Sequence, residues 1–473
     1  MEISPLNHSA AKLPRRYFLW SSAATLSALL LGCRADKSSS SLAAKLVGLR
    51  AFMQAQLSGG LFPGAVWLVA HGDDVAVDMI GTQASGGTAP MQRDTIFRIA
   101  SMTKAVTAAC VMMLIEDGKI ELDAPIHRWL PELAGRRVLR RLDGPLDDTV
   151  PAKREITVRD LLAFTLGFGI LFDNPPIQQR IDELRLVNGK PVPLTPHAPD
   201  EWIKLFATLP LMHQPGEAWM YTTGSLLQGV LVRRASGQDF DAFMHERIFE
   251  PLGMKDTGFF VPPDKLGRYA GCGLFTEQGK KTRMDEDGAQ SAYAKPPVFP
   301  AGDAGLVSTV DDYLSFARML SNGGKHGNKQ LLRAESVREM TRDQLTPEQK
   351  AASAKHFFPG FFDTNGWGYG LAVSTAPDAI SKVPGRYGWF GGFGTSFNVD
   401  PHRDLISIVM TQSADYLFNG ARDQFSRELY SIARGGRVRG HLFLNNGGTR
   451  SSSDALATGV PLRAVNSVLR YES

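Results

Sequence analysis

The sequence is poor in cysteine, with 3 in 473 residues, and almost without net charge, at +4 from 52 Lys+Arg against 48 Asp+Glu. This balance leaves no basic stripe, and zinc-finger spacing, a P-loop and RNA-binding aromatic motifs are missing, so we expect no nucleic-acid partner. Beyond the N-terminus no segment runs for about 18 apolar residues without a charge, which excludes a polytopic membrane protein. Since 43% of the residues are apolar, a globular protein of enzyme size is expected.

Two chemical signatures are also missing. The chain has no G-x-S-x-G motif, which disfavours an α/β-hydrolase, and no H-E-x-x-H pairing of a zinc enzyme. Its 10 histidines show no metal-ligand spacing, and we interpret them as ordinary surface or core residues. No metal or organic cofactor is therefore expected.

Residues 1–33 have the pattern of an export signal. Arg15 and Arg16 precede an apolar stretch, residues 17–31, that is too short to cross a membrane comfortably. The paired arginines are typical of the twin-arginine signal, which exports folded proteins. We predict export from a bacterial cytoplasm, to the periplasm or to the outer membrane.

Cys33 is a candidate lipidation site. Residues 30–33, Leu-Leu-Gly-Cys, resemble a bacterial lipobox, in which Cys33 would be acylated; simple signal cleavage stays open as the alternative. Residues 34–44 contain four consecutive serines and fit a flexible tether, so the lipid would be the only membrane contact. Of the two remaining thiols, Cys110 is interpreted as a small core residue, and whether it pairs with Cys272 is left open.

The apolar patterns predict an α+β domain over residues 45–433. Strands are predicted at 64–70, 74–77, 368–374, 395–400 and 405–411, and helices at 42–57 and 423–433. Residues 101–313 between them have mostly helical spacing, with helices expected at 104–116, 158–164, 225–234 and 240–249. A sheet built from both ends of the chain, with an inserted, mostly helical lobe, would leave a cleft between lobes for an active site. Residues 434–473 lack periodicity and are predicted to form a loosely ordered tail.

Ser101 and Lys104 form an S-x-x-K motif. Three-residue spacing on a helix puts the hydroxyl and the amine on one face, within reach of each other. The partial positive charge of a helix N-terminus favours a developing oxyanion and lowers the pKa of a nearby lysine. The same tetrapeptide also fits an N-cap serine with an exposed lysine, and it occurs again at residues 9–12.

Two further segments carry candidate residues. Tyr221 lies between a turn and a predicted helix start, where a phenol can enter a cleft beside a lysine and shuttle a proton, although a core tyrosine fits equally. In residues 389–397, Gly391 and Gly392 allow close backbone approach, so that an N–H can point at a bound carbonyl oxygen. A bulge or hairpin corner is the alternative for these glycines.

The order of the three segments resembles the serine β-lactamase and penicillin-binding-protein superfamily, above all the class C β-lactamases and the family VIII carboxylesterases. Supporting segments are residues 122–125, 156–162, 248–254, 305–309 and 366–370. The resemblance covers about residues 45–433 and implies a β-lactamase/transpeptidase-like fold with an antiparallel sheet.

The resemblance also implies roles for individual residues. Ser101 would be the acylated nucleophile, Lys104 the base or proton relay, and Tyr221 the acid/base that acts on leaving group and water. The backbone N–H groups of Ser101 and Gly392 would form the oxyanion hole.

Two departures from the class C pattern bear on the substrate. Residues 221–223 read Tyr-Thr-Thr instead of Tyr-x-Asn, and residues 389–391 read Trp-Phe-Gly instead of Lys-Thr-Gly, so the anchors for a β-lactam are missing. A substrate-binding wall is predicted instead from Trp389, Phe390, Gly391 and Phe393. We therefore expect a carboxylesterase for short-chain or aromatic neutral esters. A β-lactamase, DD-peptidase or D-amino-acid amidase, and an inactive binding protein of the cell envelope, stay open as alternatives.

Overall fold

The computed structural model describes residues 42, 44, 46–171, 175–186, 195–271, 274–277, 280–353 and 359–433. The predicted export signal of residues 1–33, the candidate lipidation site Cys33, the tail of residues 434–473 and Cys272 lie outside the described residues. Most of the predicted tether, residues 34–44, lies outside them too. Export, lipidation and the tail therefore stay predictions.

The described part of the chain alternates short strands and helices. The strands are β1 (Gly64–His71), β2 (Asp74–Gly81), β3 (Phe97–Arg98), β4 (Arg137–Leu139), β5 (Thr149–Pro151), β6 (Leu274–Glu277), β7 (Lys280–Arg283), β8 (Val307–Ser308), β9 (Lys325–His326), β10 (Lys329–Gln330), β11 (Asn365–Trp367), β12 (Ala372–Ser374), β13 (Tyr387–Gly391), β14 (Thr395–Asp400) and β15 (Leu405–Thr411). The helices are α1 (Val47–Ser58), α2 (Thr103–Glu116), α3 (Val158–Ala163), α4 (Pro176–Glu183), α5 (Pro199–Ala207), α6 (Thr223–Ser236), α7 (Phe240–Met244), α8 (Glu250–Leu252), α9 (Val310–Ser321), α10 (Ala334–Met340), α11 (Pro347–Ser353), α12 (Phe361–Thr364), α13 (Asp415–Phe418) and α14 (Ala421–Ala433).

A central antiparallel sheet joins the two ends of the domain. Over the described residues it has seven strands, in the order β11-β12-β13-β14-β15-β1-β2. Strand β1 pairs with β15 over its whole length, with Ala65 opposite Thr411 and His71 opposite Leu405. The prediction of an α+β fold with a sheet built from both chain ends is therefore confirmed.

Both faces of β1 are covered, because alternate side chains of a strand point to opposite sides. Trp67 belongs to one apolar core with Met53 of α1 and Phe425 of α14. Its neighbour Leu68 belongs to the larger core, which includes Val106 of α2. The sheet thus separates a terminal helical layer from the inserted lobe, which carries α2 to α8.

Helix α2 is buried on every side from Thr103 to Leu114. Its Cys110 is a free, buried thiol, in agreement with its interpretation as a core residue. One predicted strand is shorter than expected, because residues 368–371 form a turn before β12. Gly370 has φ +77 in this turn and lies so close to α2 that a Cβ would collide with the carbonyl oxygen of Lys104. Gly370 is thus needed for a close backbone contact with α2. The spacing of apolar residues, from which the longer strand was predicted, does not indicate this contact.

No helix among the described residues combines the length and apolarity that crossing a membrane requires.

Truncation of the buried Ile408 in β15 tests the importance of the sheet. Ile408→Ala should lower the free energy of unfolding by about 2–4 kcal/mol, because the side chain is fully buried in the larger core and leaves a cavity. Urea denaturation followed by circular dichroism measures this loss. Val383→Ala, at a side chain that is 39% exposed, is the control and should change the free energy by less than about 0.5 kcal/mol. Equal losses in both variants would contradict the assigned core.

Candidate active site

Ser101 lies on a short turn that leads into α2. Strand β3 pairs with β8, and a turn of 3₁₀ helix, Ala100–Met102, then precedes α2. Ala100 has φ +41, which is uncommon for a residue with a Cβ and stores backbone strain. The side chain of Ser101 is half-buried at the head of the apolar helix, where the sequence predicts it.

Arg98, just before this turn, fixes its position. Its fully buried guanidinium lies 2.7 Å from the carboxylate of Asp285 and donates a hydrogen bond of 3.1 Å to Gln412. The ring of Tyr269 lies 4.3 Å from the guanidinium carbon. A buried charge is stable only when it is paired, so this network ties β3 to two distant segments and holds Ser101 in place. Sequence reasoning did not find it, because the partners are more than a hundred residues apart.

The amine of Lys104 contacts the hydroxyl of Ser101. Lys104 is fully buried in the first turn of α2, and its Nζ donates hydrogen bonds to Ser101 Oγ at 3.0 Å and to the main-chain oxygen of Asp303 at 2.8 Å. Burial lowers the pKa of Lys104 to about 8, and the negative charge of Asp303 opposes this shift. A neutral amine, able to accept the proton of Ser101, is thus accessible near neutral pH.

Tyr221 completes the cluster. Its hydroxyl shares a hydrogen bond with the side chain of Ser101 and accepts one from the indole N–H of Trp389 at 2.6 Å. The Nζ of Lys104 lies 4.5 Å from the centre of the phenol ring. Burial raises the pKa of Tyr221, and the hydrogen bonds from Ser101 and Trp389 oppose that rise, so the resting phenol is protonated.

A cluster of aromatic rings fixes the phenol. The ring centres of Phe164, Trp219, Trp367 and Trp389 lie 6.1, 5.7, 6.0 and 5.6 Å from that of Tyr221. The sequence analysis found only Trp389 among these four. Trp367 lies in the glycine-rich segment of residues 366–370, where its position between two glycines was the available signal.

The predicted glycine turn packs directly on the turn of Ser101. Gly391 ends β13 so close to Ile99 that a Cβ would collide with the carbonyl oxygen of Ile99. The hydroxyl of Thr395 at the start of β14 donates to the same oxygen at 3.3 Å. Gly392 follows Gly391 in the turn between β13 and β14, and the role of its N–H in an oxyanion hole stays a prediction.

The predicted aromatic wall is divided between different places. Trp389 lies beside Tyr221, and Phe390 stacks on Trp389 with a ring distance of 4.4 Å while its ring also lies 4.4 Å from the guanidinium carbon of Arg422. Phe393 is fully buried against Arg98 and Tyr293. The structure does not bring Phe393 to Tyr221, and nothing in this geometry supports a contact of its side chain with substrate.

Asp303 is a site residue that the sequence analysis missed. Its carboxylate is buried, with the residue 3% exposed, and accepts a hydrogen bond of 3.1 Å from the hydroxyl of Thr222. The sequence offers only an acid within a Gly-Asp-Ala-Gly stretch, residues 302–305. Among the described residues, no three His, Cys, Asp or Glu side chains come together as a metal site.

The cluster predicts a pH-dependent reactivity of Ser101. The rate of its modification by a fluorophosphonate should rise with a midpoint at about pH 8, since neutral Lys104 must accept the proton of Ser101. Lys104→Met should slow the reaction by about 100-fold or more. Intact-protein mass with peptide mapping measures the adduct, with Ser101→Ala as the control that forms none. A rate that does not change between about pH 6 and pH 10 would contradict the role of Lys104.

Comparisons with known proteins agree with this geometry. The model of the Beta-lactamase family matches residues 49–430. An uncharacterized protein of Mycobacterium tuberculosis is 39% identical over 376 residues, which cover 78% of this chain and 90% of that protein. Esterase EstB of Burkholderia gladioli is 30% identical over 370 residues, 74% of this chain and 86% of the relative.

A solved structure titled "EstCE1, a hydrolase with promiscuous acyltransferase activity" has the same fold. Its TM-score is 0.68 at 22% sequence identity, and the alignment covers 84% of this chain and all of that chain. The family match extends from α1 to α14 and includes each element that positions Ser101, Lys104 and Tyr221. The chain therefore belongs to the beta-lactamase family and is a serine hydrolase related to its esterases.

Proposed function

We propose that this serine hydrolase is a carboxylesterase, which cleaves short-chain or aromatic neutral esters through an acyl-enzyme on Ser101. The observation that carries the proposal is the hydrogen bond from Trp389 to Tyr221. At this place class C β-lactamases have a lysine that holds the carboxylate of their substrate. Here a neutral, apolar indole occupies the position, which favours a substrate without a negative charge. The similarity to an esterase at 30% identity supports the same reaction class.

Acylation follows from the contacts of the cluster. Neutral Lys104 accepts the proton of Ser101 Oγ while this oxygen forms a bond to the ester carbonyl carbon. The carbonyl oxygen becomes an oxyanion, which the N–H groups of Ser101 and Gly392 would stabilise by about 3–4 kcal/mol. Collapse of this intermediate breaks the bond to the alcohol, whose oxygen takes the proton of Tyr221, and Tyr221 regains a proton from Lys104.

Deacylation reverses these proton movements. Tyr221 passes its own proton to neutral Lys104 and takes one from a water molecule as the water oxygen attacks the acyl carbon. The second tetrahedral intermediate then breaks the bond to Ser101 Oγ, and this oxygen takes the proton that Lys104 holds. The acid is released, and the charges of the cluster are those of the starting state.

The choice of substrate separates the esterase from its rivals. The kcat/KM for a p-nitrophenyl butyrate should exceed that for a chromogenic cephalosporin by about 100-fold or more, because Trp389 stands where class C β-lactamases have the lysine that holds the carboxylate of their substrate. Both substrates are followed by absorbance, with Ser101→Ala as the inactive control. A cephalosporin that is the better substrate would replace the esterase proposal by a β-lactamase. Hydrolysis of neither substrate, on folded protein, would favour a binding protein.

The contribution of the indole N–H of Trp389 to kcat can be measured separately from that of its aromatic ring. Trp389→Phe keeps an aromatic ring but removes the donor to Tyr221, so kcat should fall by about 10-fold to 100-fold while KM changes little. Steady-state kinetics with the butyrate ester measures both constants. Trp202→Phe is the matched control, because Trp202 is also buried and donates its N–H, to the carbonyl of Leu186 at 3.0 Å, outside the cluster. An equal loss of kcat in both variants would refute a specific role of Trp389.

A further inference from the structure

The main chain at Asp303 is clamped against the catalytic helix. The carbonyl oxygen of Gly302 accepts a hydrogen bond of 2.7 Å from Thr107 of α2, and the N–H of Leu306 donates one of 3.1 Å to Thr103. Between these two points the carbonyl oxygen of Asp303 accepts the hydrogen bond of 2.8 Å from Lys104. The position of the amine beside Ser101 is therefore set by a rigid piece of backbone.

The carboxylate of Asp303 has a different set of partners. The hydroxyl of Thr222 donates to it, and so do the N–H groups of Asp303 itself and of Ala304. Thr222 follows Tyr221 directly and has φ +88, a conformation that is uncommon for a residue with a branched Cβ. The strained backbone thus delivers a donor to Asp303 from the segment that carries the phenol. The main-chain carbonyl of Asp303 accepts a hydrogen bond from the amine of Lys104, whereas the carboxylate of Asp303 acts on the same amine by Coulomb attraction.

Few titratable groups face this amine. In the part of the chain that the structure describes, the charge that acts on Lys104 is that of Asp303, and Lys104 is the cation that acts on Asp303. Tyr221, from the segment before α6, faces both of them, and Trp389 of β13 contributes a neutral donor. Burial raises the pKa of Asp303, while the charge of Lys104 and the hydrogen bonds to the carboxylate oppose that rise.

We propose that Asp303 is a positioning residue of this site: its carbonyl fixes the amine of Lys104 beside Ser101, and its buried carboxylate supplies the negative charge that lets this amine hold a proton. The inference rests on the proposed acyl-enzyme on Ser101. When Ser101 attacks, Lys104 becomes a buried ammonium ion, which is costly without a counter-charge. Asp303 meets that need without touching substrate.

The carboxylate also sets the pH at which the amine becomes neutral. Asp303→Asn removes the charge but keeps the main-chain carbonyl, the size of the side chain and an oxygen that can accept from Thr222. The amine then loses its proton more easily, so the pH midpoint of Ser101 modification should move down by about 1 unit. The plateau rate should fall by about 10-fold, since the amine is a weaker base and its ammonium ion is less stable.

The experiment measures the rate of fluorophosphonate modification of Ser101 against pH in the full protein. Asp312→Asn is the matched control: Asp312 is another buried acid whose pKa burial raises, and it contacts Thr257 and the N–H of Asp256 instead of Lys104. The expected result is a lower midpoint for Asp303→Asn and the wild-type midpoint for Asp312→Asn. A wild-type midpoint for Asp303→Asn would overturn the inference.

A second variant decides the matter if Asp303→Asn does not fold, as judged by circular dichroism. Asp303→Ser also removes the charge, keeps the main-chain carbonyl and leaves a smaller polar side chain, so it should lower the midpoint as well. A wild-type midpoint in Asp303→Ser would overturn the inference. Absence of an adduct from wild-type protein at every pH would instead refute the proposed function, and the inference with it.

Discussion

The burial of one amine is the constraint on which the site depends. Lys104 lies in the first turn of a helix that is apolar on every side, and its Nζ is out of contact with water. Such a group is stable only if hydrogen-bond acceptors meet it, and the structure provides the hydroxyl of Ser101 and the carbonyl of Asp303. The same burial that demands these acceptors lowers the pKa of the amine to about 8. A single physical cost therefore fixes both the geometry of the amine and its lowered pKa.

The rest of the fold holds three segments against this amine. Ser101 comes from the strained turn that Arg98 anchors, Tyr221 from an aromatic cluster, and Trp389 from strand β13 of the central sheet. The three segments are far apart in the sequence, so none of them alone forms the geometry of the cluster. The proton of Tyr221 is stable because burial opposes ionisation, and that of Lys104 is labile for the same reason. The same burial thus lowers the pKa of the amine and raises that of the phenol.

The sequence predicts the strands of this protein better than the contacts within its candidate active site. Strands β14 and β15 lie at the predicted residues, because β15 is mostly apolar and β14 alternates Phe397 and Val399 with polar residues, as strands of a covered sheet do. Ser101 and Lys104 can be found in the sequence because they have the spacing of the S-x-x-K motif. Tyr221 can be found because it follows them in the order that is typical of the β-lactamase superfamily. Phe393 shows the limit, since an aromatic residue beside two glycines fits a ligand wall and a buried cluster equally well. Asp303 could not be found, because its partners Lys104 and Thr222 are distant in sequence and come together only through the packing of α2 and α6.

The pairing of β1 with β15 has a consequence for how the site is made. Strand β1 pairs with β15, which lies more than three hundred residues later in the chain. The contact order of this sheet is therefore high, and we expect the sheet to form slowly. During synthesis the hydrogen-bonding edge of β1 stays unpaired until β15 leaves the ribosome. We therefore expect the cluster of Ser101, Lys104, Tyr221 and Trp389 to form only after the C-terminal strands are synthesised, since Trp389 belongs to that segment. A prematurely terminated chain would hold Ser101 and Lys104, but not strand β13 with Trp389.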